Sequence, residues 1–456
     1  MELLKRLHNL IFSPAPSADD ELPAEAALRI SFKVAVTEFA DNVESTGGEL
    51  LCRLLDGLDG LSVSYFDEPF AKNFLSLESR TLFDLIDKGQ NILDKTGADI
   101  LIWGCRENDK IRLNFQTALQ YEKQSAAVIS LLDSLYLPAA VFESSVPSLV
   151  PASIVNLIYG AVISAINPVD KITGIQKRYL LKKIIARLSA DNSAKALSID
   201  YLPYVMNFLG IIYLSFCKNN ETDKDFKIVA NLFETAIKHQ DLIKNPLHLG
   251  CIYYHLGQLY DSASLQLNKR PGAYYKGAIS YYRLAQKYLG KYNYPYDYGL
   301  ISYKLAALYY NYWRQKEDLQ ALRDAVFNLR EAEKIFTYAL FPEFWADIQG
   351  ELGHMLALLG SLTGSFDISE LAIAAYKNQQ KVITERRDPL HWAQIQENIG
   401  EIYYRLGKNA DDTDSLEEAL EYFHDALYIF ENMELSEAAK RLTIDIAKTG
   451  SLLNNN

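Results

Sequence analysis

Long apolar runs are missing from this chain of 456 residues. No stretch reaches the ~18 consecutive apolar residues of a membrane-crossing helix. The N-terminus lacks a signal-peptide core and cleavage site, so a cytoplasmic protein is expected. Cysteine is scarce: Cys52, Cys105, Cys217 and Cys251 are the only four, and none falls in a CxxC pair. They read as scattered buried thiols of a reducing compartment. Positive charge is outweighed, with 46 Lys and Arg against 58 Asp and Glu and a net charge of −12. That balance excludes a general nucleic-acid binder, because phosphate contacts need a basic surface. Catalytic signatures are also lacking. There is no GxxxxGK[ST] to cradle phosphate, no GxGxxG after a strand, no GxSxG elbow and no HExxH. His248 and His255 are seven apart on one helix face, but no ligand set of fitting spacing completes a metal site. The pairs Glu397/Glu401 and Glu417/Glu421 read as exposed acidic helix faces. No metal, no cofactor and no enzymatic activity are expected.

What is present is a repeat. From about Asp200 to Leu453, a proline is followed three positions later by a large apolar residue and eight further on by glycine or alanine. Pro246, Leu249 and Gly257 form one copy, followed by Pro295, Tyr298 and Ala306, by Pro342, Trp345 and Gly353, and by Pro389, Trp392 and Gly400. The prolines are 49, 47 and 47 residues apart, and Gly210 lies 47 before Gly257. A fixed period in this range signals stacked units, none of which can bury its apolar face alone. Each copy reads as two helices. In the last copy Asp388 caps the first helix, Pro389 occupies its first turn, and Trp392, Ile395, Ile399, Ile402 and Leu406 recur at helical spacing. Gly407 is expected to end that helix, and Asp414 with Glu417 to box the start of the second. Small residues hold matching places on the second helices: Val229 and Ala236, Ala278 and Ala285, Ala325 and Ala332, Ala372, and Ala419 and Ala426.

This pattern resembles the tetratricopeptide repeat (TPR). The carrying residues are Leu209-Gly210 with Tyr213, Leu256-Gly257 with Tyr260, Leu305-Ala306 with Tyr309, Leu352-Gly353, and Ile399-Gly400 with Tyr403. The period departs from the usual 34 residues. About seven extra residues are expected in the turn between the two helices. The resemblance covers about 250 residues and implies a mostly α protein, an α-solenoid of TPR-like helical hairpins.

Residues 29–145 change period. Strands are expected at Ile30–Phe39, Leu61–Phe66, Asp99–Cys105 and Lys110–Ala118, and helices at Gly48–Leu58 and Thr81–Thr96. A short turn at Asn108-Asp109 makes the last two strands a hairpin, and the order means a small α/β domain. The opening strand with Thr37-Glu38-Phe39, the string Lys95-Thr96-Gly97-Ala98-Asp99 and the later Gly104 resemble the amino-terminal domain of TolB and its relatives. In bacterial proteins such a domain often precedes tetratricopeptide repeats.

Residues 1–28 read as an amphipathic helix over 1–12, a candidate for peripheral membrane contact, and a Pro- and Ala-rich linker. Residues 146–198 read as a helical adaptor or degenerate capping repeat around Gly160. Its second helix carries a basic face of Lys177, Arg178, Lys182, Lys183 and Arg187, which reads as a solvated helix face or as a surface for an acidic partner or lipid head groups. Residues 199–456 hold five repeats and a closing helix.

The resemblance also implies that the first helix of each hairpin lines a concave groove for a partner protein. At those offsets lie Asn207; Tyr254 and Asp261; Tyr303, Tyr310 and Asn311; Asp347 and His354; and Gln394, Glu397, Glu401, Tyr404 and Arg405. Sixteen of the 30 tyrosines fall between Tyr253 and Tyr312, and Tyr and Arg are favoured in binding hot spots. The expected function is therefore a non-enzymatic scaffold that binds partner proteins and not nucleic acid. The alternative is a regulatory subunit whose α/β domain takes a small ligand at its strand ends.

Overall fold

The computed structural model describes residues 31–40, 47–70, 79–117, 132–143, 146–168, 170–190, 197–217, 222–266 and 271–454. The expected helix over 1–12 and the linker after it lie outside these residues. The described chain is mostly helical with one small sheet, and it forms two compact units that divide between Asp297 and Tyr298.

The first unit opens with the sheet. Its strands are β1 (Phe32–Glu38), β2 (Leu61–Pro69), β3 (Ile100–Glu107), β4 (Lys110–Thr117) and β5 (Ser134–Pro138), ordered β2-β1-β3-β4-β5. The helices α1 (Gly47–Asp56) and α2 (Ser79–Thr96) make the crossovers, so β1 runs parallel to both β2 and β3. The β3–β4 and β4–β5 pairs are antiparallel. Asn108 takes the left-handed conformation (φ 58°) that a tight hairpin turn demands. The fifth strand was not anticipated. It is five residues long, and its Leu135-Tyr136-Leu137 centre runs straight into the apolar stretch after it, with no alternation to mark it.

Three helical hairpins follow in the same unit: α3 (Ala152–Ala165) with α4 (Lys171–Ala190), α5 (Leu202–Cys217) with α6 (Asp223–Lys238), and α7 (Pro246–Gln266) with α8 (Pro271–Tyr288). One hydrophobic core runs from the sheet (Val36, Ile102, Leu113) through α3 and α4 (Val162, Leu181) to α5 and α7 (Ile212, Leu256). Gly160 lets α3 approach: a Cβ there would sit 2.5 Å from Ile212 Cδ1 and 3.2 Å from Ile184 Cγ2. The basic face of α4 is largely used internally. Lys177 is buried and its Nζ donates to the carbonyls of Ser164 and Ile166 (2.9 and 2.7 Å), closing the C-terminal end of α3. Arg178 lies over Phe216, and Lys183 and Arg187 reach Asp59. The helix over Ile199–Cys217 is long and apolar enough to cross a membrane by length and composition, but most of it is buried in this core.

The second unit contains α9 (Pro295–Lys316, from Tyr298 onward), α10 (Leu319–Glu333), α11 (Pro342–Thr363), α12 (Phe366–Gln379), α13 (Pro389–Ala410), α14 (Thr413–Asn432) and α15 (Ser436–Leu453). All four repeat prolines, Pro246, Pro295, Pro342 and Pro389, open a helix of 21 or 22 residues. Asp388 caps α13 by accepting from the His391 N–H (3.1 Å).

Each hairpin closes on one recurring contact. A Cβ on Gly210 would lie 2.5 Å from Phe233, on Gly257 2.5 Å from Tyr282, on Gly353 2.9 Å from Tyr376, and on Gly400 2.6 Å from Phe423. Glycine on the first helix therefore admits an aromatic ring from the second. In the α9–α10 hairpin the register places Ala306 opposite Leu329, both buried, so a smaller partner side chain accompanies the larger first-helix residue. The small residues of the second helices, from Val229 to Ala426, are all fully buried apart from the last-turn position of α12, which holds buried Gln379.

Two expectations about the turns are corrected. The first helix of the last hairpin does not end at Gly407: α13 runs to Ala410, as the equivalent α11 runs to Thr363. The residues beyond the usual period lengthen the helices, leaving two-residue turns. Each of those turns begins with a left-handed residue, Glu317 (φ 54°), Gly364 (φ 66°) or Asp411 (φ 51°), spaced 47 apart. Nor do Asp414 and Glu417 form a capping box. The α14 N-cap is Asp412, whose carboxylate accepts from the Ser415 hydroxyl (2.5 Å), and Ser365 caps α12. The cap signal lay two residues earlier because the helix before it is longer.

Candidate partner-binding wall of the hairpins

With 3.6 residues per turn, the positions six, three and two before the helix-packing glycine, and one after it, share a face turned away from the second helix. That face is the candidate wall. In α13 it carries Gln394, Glu397, Asn398 and Glu401. In α11 it carries Asp347, Gly350, Glu351 and His354, and in α9 it carries Leu300, Tyr303, Lys304 and Ala307. The same positions in α5 are Tyr204, Asn207, Phe208 and Ile211, and in α7 they are Cys251, Tyr254, His255 and Gln258.

In the first unit the protein's own sheet covers this wall. Tyr136 of β5 packs against Tyr204 at 4.6 Å between ring centroids, and both rings meet His248 edge-on at 5.3 and 5.4 Å. Phe115 of β4 meets Phe208 at 5.8 Å. Asp133, just before β5, is fully buried, and both of its carboxylate oxygens lie 2.9–3.0 Å from His255 Nε2. The amide of Asn207 also donates to Asp133, at 3.4 Å. His255 Nδ1 lies 3.1 Å from Gln258 Oε1, and Gln258 in turn donates to the Tyr254 hydroxyl (3.2 Å). Phe233 stacks on the imidazole. Removing one member of this fully buried pair leaves the other without its hydrogen-bond partner in the core, at a cost of about 1–3 kcal/mol. Burial lowers the His248 pKa to about 4, so its ring stays neutral.

Asn207 and Tyr254, expected in a partner groove, are therefore buried inside this unit and leave the candidate set. Their physical role is to seat the sheet. The missed partner, Asp133, carries no local signal. It lies more than seventy residues from Asn207, and only the tertiary fold brings the two together.

In the second unit the wall is open. Gln394, Asn398, Glu401, Glu351, His354 and Ala307 are exposed, and Tyr303, Tyr310, Asn311, Asp347, Glu397, Tyr404 and Arg405 are half-buried. Tyr303 packs edge-on against Phe344 at 5.0 Å. The Tyr310 hydroxyl pairs with His354 Nε2 (2.9 Å), and the Tyr310 ring also meets Trp313. Surrounding protein lowers the His354 pKa, with a smaller push from Arg314. Glu397 accepts twice from Arg441 of α15, at 2.6 and 3.1 Å. Burial raises the pKa of Glu401, partly offset by Arg405. Burial alone raises that of Glu351, which shares this face. The phenols of Tyr303, Tyr310 and Tyr376 all feel its charge. Asp261, in the first unit, is half-buried.

The strand ends of the α/β domain carry their own occupant. Glu38, at the end of β1, is buried and accepts from the N–H groups of Phe39 (2.7 Å) and Gly48 (3.0 Å) and from the Tyr65 hydroxyl (2.5 Å). One donor at the α1 N-terminus, where an anionic ligand would be held, is spent on this carboxylate: the Gly48 N–H. Among the described residues no group of three or more metal-ligating side chains converges. All four cysteines are free; Cys105, Cys217 and Cys251 are buried and Cys52 partly so, and burial raises the thiol pKa of Cys52 and Cys251.

Comparison with known proteins adds no name to this geometry: no protein-family model matches the chain, and no curated protein matches it.

Proposed function

We propose that this protein is a non-enzymatic interaction scaffold, in which TPR-like hairpins form a solenoid-type receptor for a segment of a partner protein. The partner lies on the wall of α9, α11 and α13. Tyr303 and Tyr310 supply contact area with polar tips, and Gln394, Glu397, Glu401, Tyr404 and Arg405 supply polar contacts. The observation that carries this reading is the difference between equivalent positions. One register is buried under β4 and β5 in the first two TPR-like hairpins and open in the last three. A face that already holds polypeptide within the molecule is suited to hold another. The small-ligand alternative draws less support, since Glu38 fills the polar end of β1.

The test is replacement of Tyr303 and Tyr310 together by Ala, followed by affinity capture from native cytoplasm and mass spectrometry. Partners held by the wall should be lost while far-UV circular dichroism is unchanged. Capture of the same partners at the same yield would overturn the proposal.

A further inference from the structure

The wall position two residues before the helix-packing glycine shows what each hairpin is matched to. In α5 it is Phe208, and the sheet presents Phe115 to it. In α7 it is His255, and the sheet presents the Asp133 carboxylate. In each case the occupant complements the wall residue. In α11 the same position is Glu351, exposed on one side, closely surrounded on the others, and without an ion pair or hydrogen bond among the described residues. The polarity of the position is reversed relative to α7.

The rest of the open wall follows suit. Among its twelve positions stand four carboxylates (Asp347, Glu351, Glu401 and Glu397, the last paired with Arg441) and one lysine, Lys304, whereas the eight covered positions hold no carboxylate, lysine or arginine. Charge across the chain is divided in the same sense. Residues 298–456 hold 25 Asp and Glu against 15 Lys and Arg, a net −10 of the total −12. Long-range attraction of an oppositely charged partner follows from such a field.

Resting on the scaffold reading above, we propose that the occupant of the α9–α11–α13 wall is a basic segment of a partner protein. It places a lysine or arginine against Glu351, with Glu401 as its second anchor. The side chain would lie beside Tyr303 and Tyr310, which are half-buried on the same wall and where a cation also gains from the ring faces. In the Asp133–His255 contact the carboxylate comes from the sheet, and in the proposed contact it comes from the wall.

The experiment uses the full chain and two fluorescein-labelled peptides, (Lys-Thr)5 and (Glu-Thr)5, with anisotropy read at about 0.15 M salt, where exposed charges farther apart than ~8 Å are screened. Binding of the lysine peptide alone is expected. The E351Q/E401Q variant should bind it about tenfold more weakly. An E417Q/E421Q variant, with the same charge change on the exposed face of α14, should bind like the parent. Equal weakening in both variants, or none in E351Q/E401Q, overturns the inference. The two readings can fail separately. If capture of native partners depends on Tyr303 and Tyr310 but not on Glu351 and Glu401, the wall stands and its basic occupant falls. If capture ignores Tyr303 and Tyr310 as well, the scaffold reading has failed first.

Discussion

The glycine-under-ring contact makes a quantitative prediction at Gly400. Alanine there would put a Cβ 2.6 Å from Phe423 Cδ1 and 3.3 Å from the Ala419 carbonyl. The Phe423 ring is buried, so it cannot swing clear without moving its neighbours. Overpacking of this kind costs about 1–3 kcal/mol, offset by about 1 kcal/mol of helix propensity. Gly400→Ala should therefore lose about 0–2 kcal/mol. Phe423→Leu alone should lose about 1–2 kcal/mol through lost contacts and a small void. The double variant reproduces the Ala306–Leu329 combination already present in the α9–α10 hairpin. It should cost less than the two singles together by about 1 kcal/mol. Urea unfolding followed by tryptophan fluorescence is the assay. Trp313, Trp345 and Trp392 all lie in the second unit, so the signal chiefly reports the unit under test. Gly450→Ala, where an added Cβ meets nothing within 4 Å, is the control and should be neutral or stabilising. Additivity of the Gly400 and Phe423 changes to within about 0.5 kcal/mol would refute the packing argument.

Two further outcomes concern the first unit. The His248 pKa is depressed from 6.5 to about 4 in the fold, so the unfolded chain takes the proton first. Stability from this group is complete above the unfolded value and falls as pH drops from 6.5 towards 4, by about 1.4 kcal/mol per pH unit. His248→Phe should flatten that part of the urea-midpoint profile, and an unchanged slope would show that another group sets it. Lys177→Met should destabilise by about 1–3 kcal/mol by leaving two carbonyls at the α3 C-terminus without their donor. Hydrogen exchange should then rise first in α3 and α4.

Much of this architecture could be read from the chain because its signals are local. Prolines at the helix starts, glycines under rings and alanines on the second helices each act within one hairpin. Gly97 likewise ends α2 with φ 62° as expected. The misjudged features depend on longer reach. Gly407 looked like a helix end, but it is needed for close approach to Leu416 and the Asp412 carbonyl. The wall offsets were legible as a helix face, yet whether that face was open was not. Asn207 and Tyr254 have the same phase as Glu397, and only the folding of β4 and β5 onto α5 and α7 separates their fates. Glu351 went unnoticed because it is an ordinary acid on an ordinary helix until its surroundings are known.

The left-handed turn residues Glu317, Gly364 and Asp411 recur at a constant interval, and this bears on how such a chain can change in length. Excising 365–411 would join one turn to the start of the next second helix without altering the phase of any helix on either side. Duplicating the same span would do the reverse. The number of hairpins is thus a separate variable from the chemistry of their faces. A lineage could lengthen its row of hairpins in whole steps and revise the new surface afterwards.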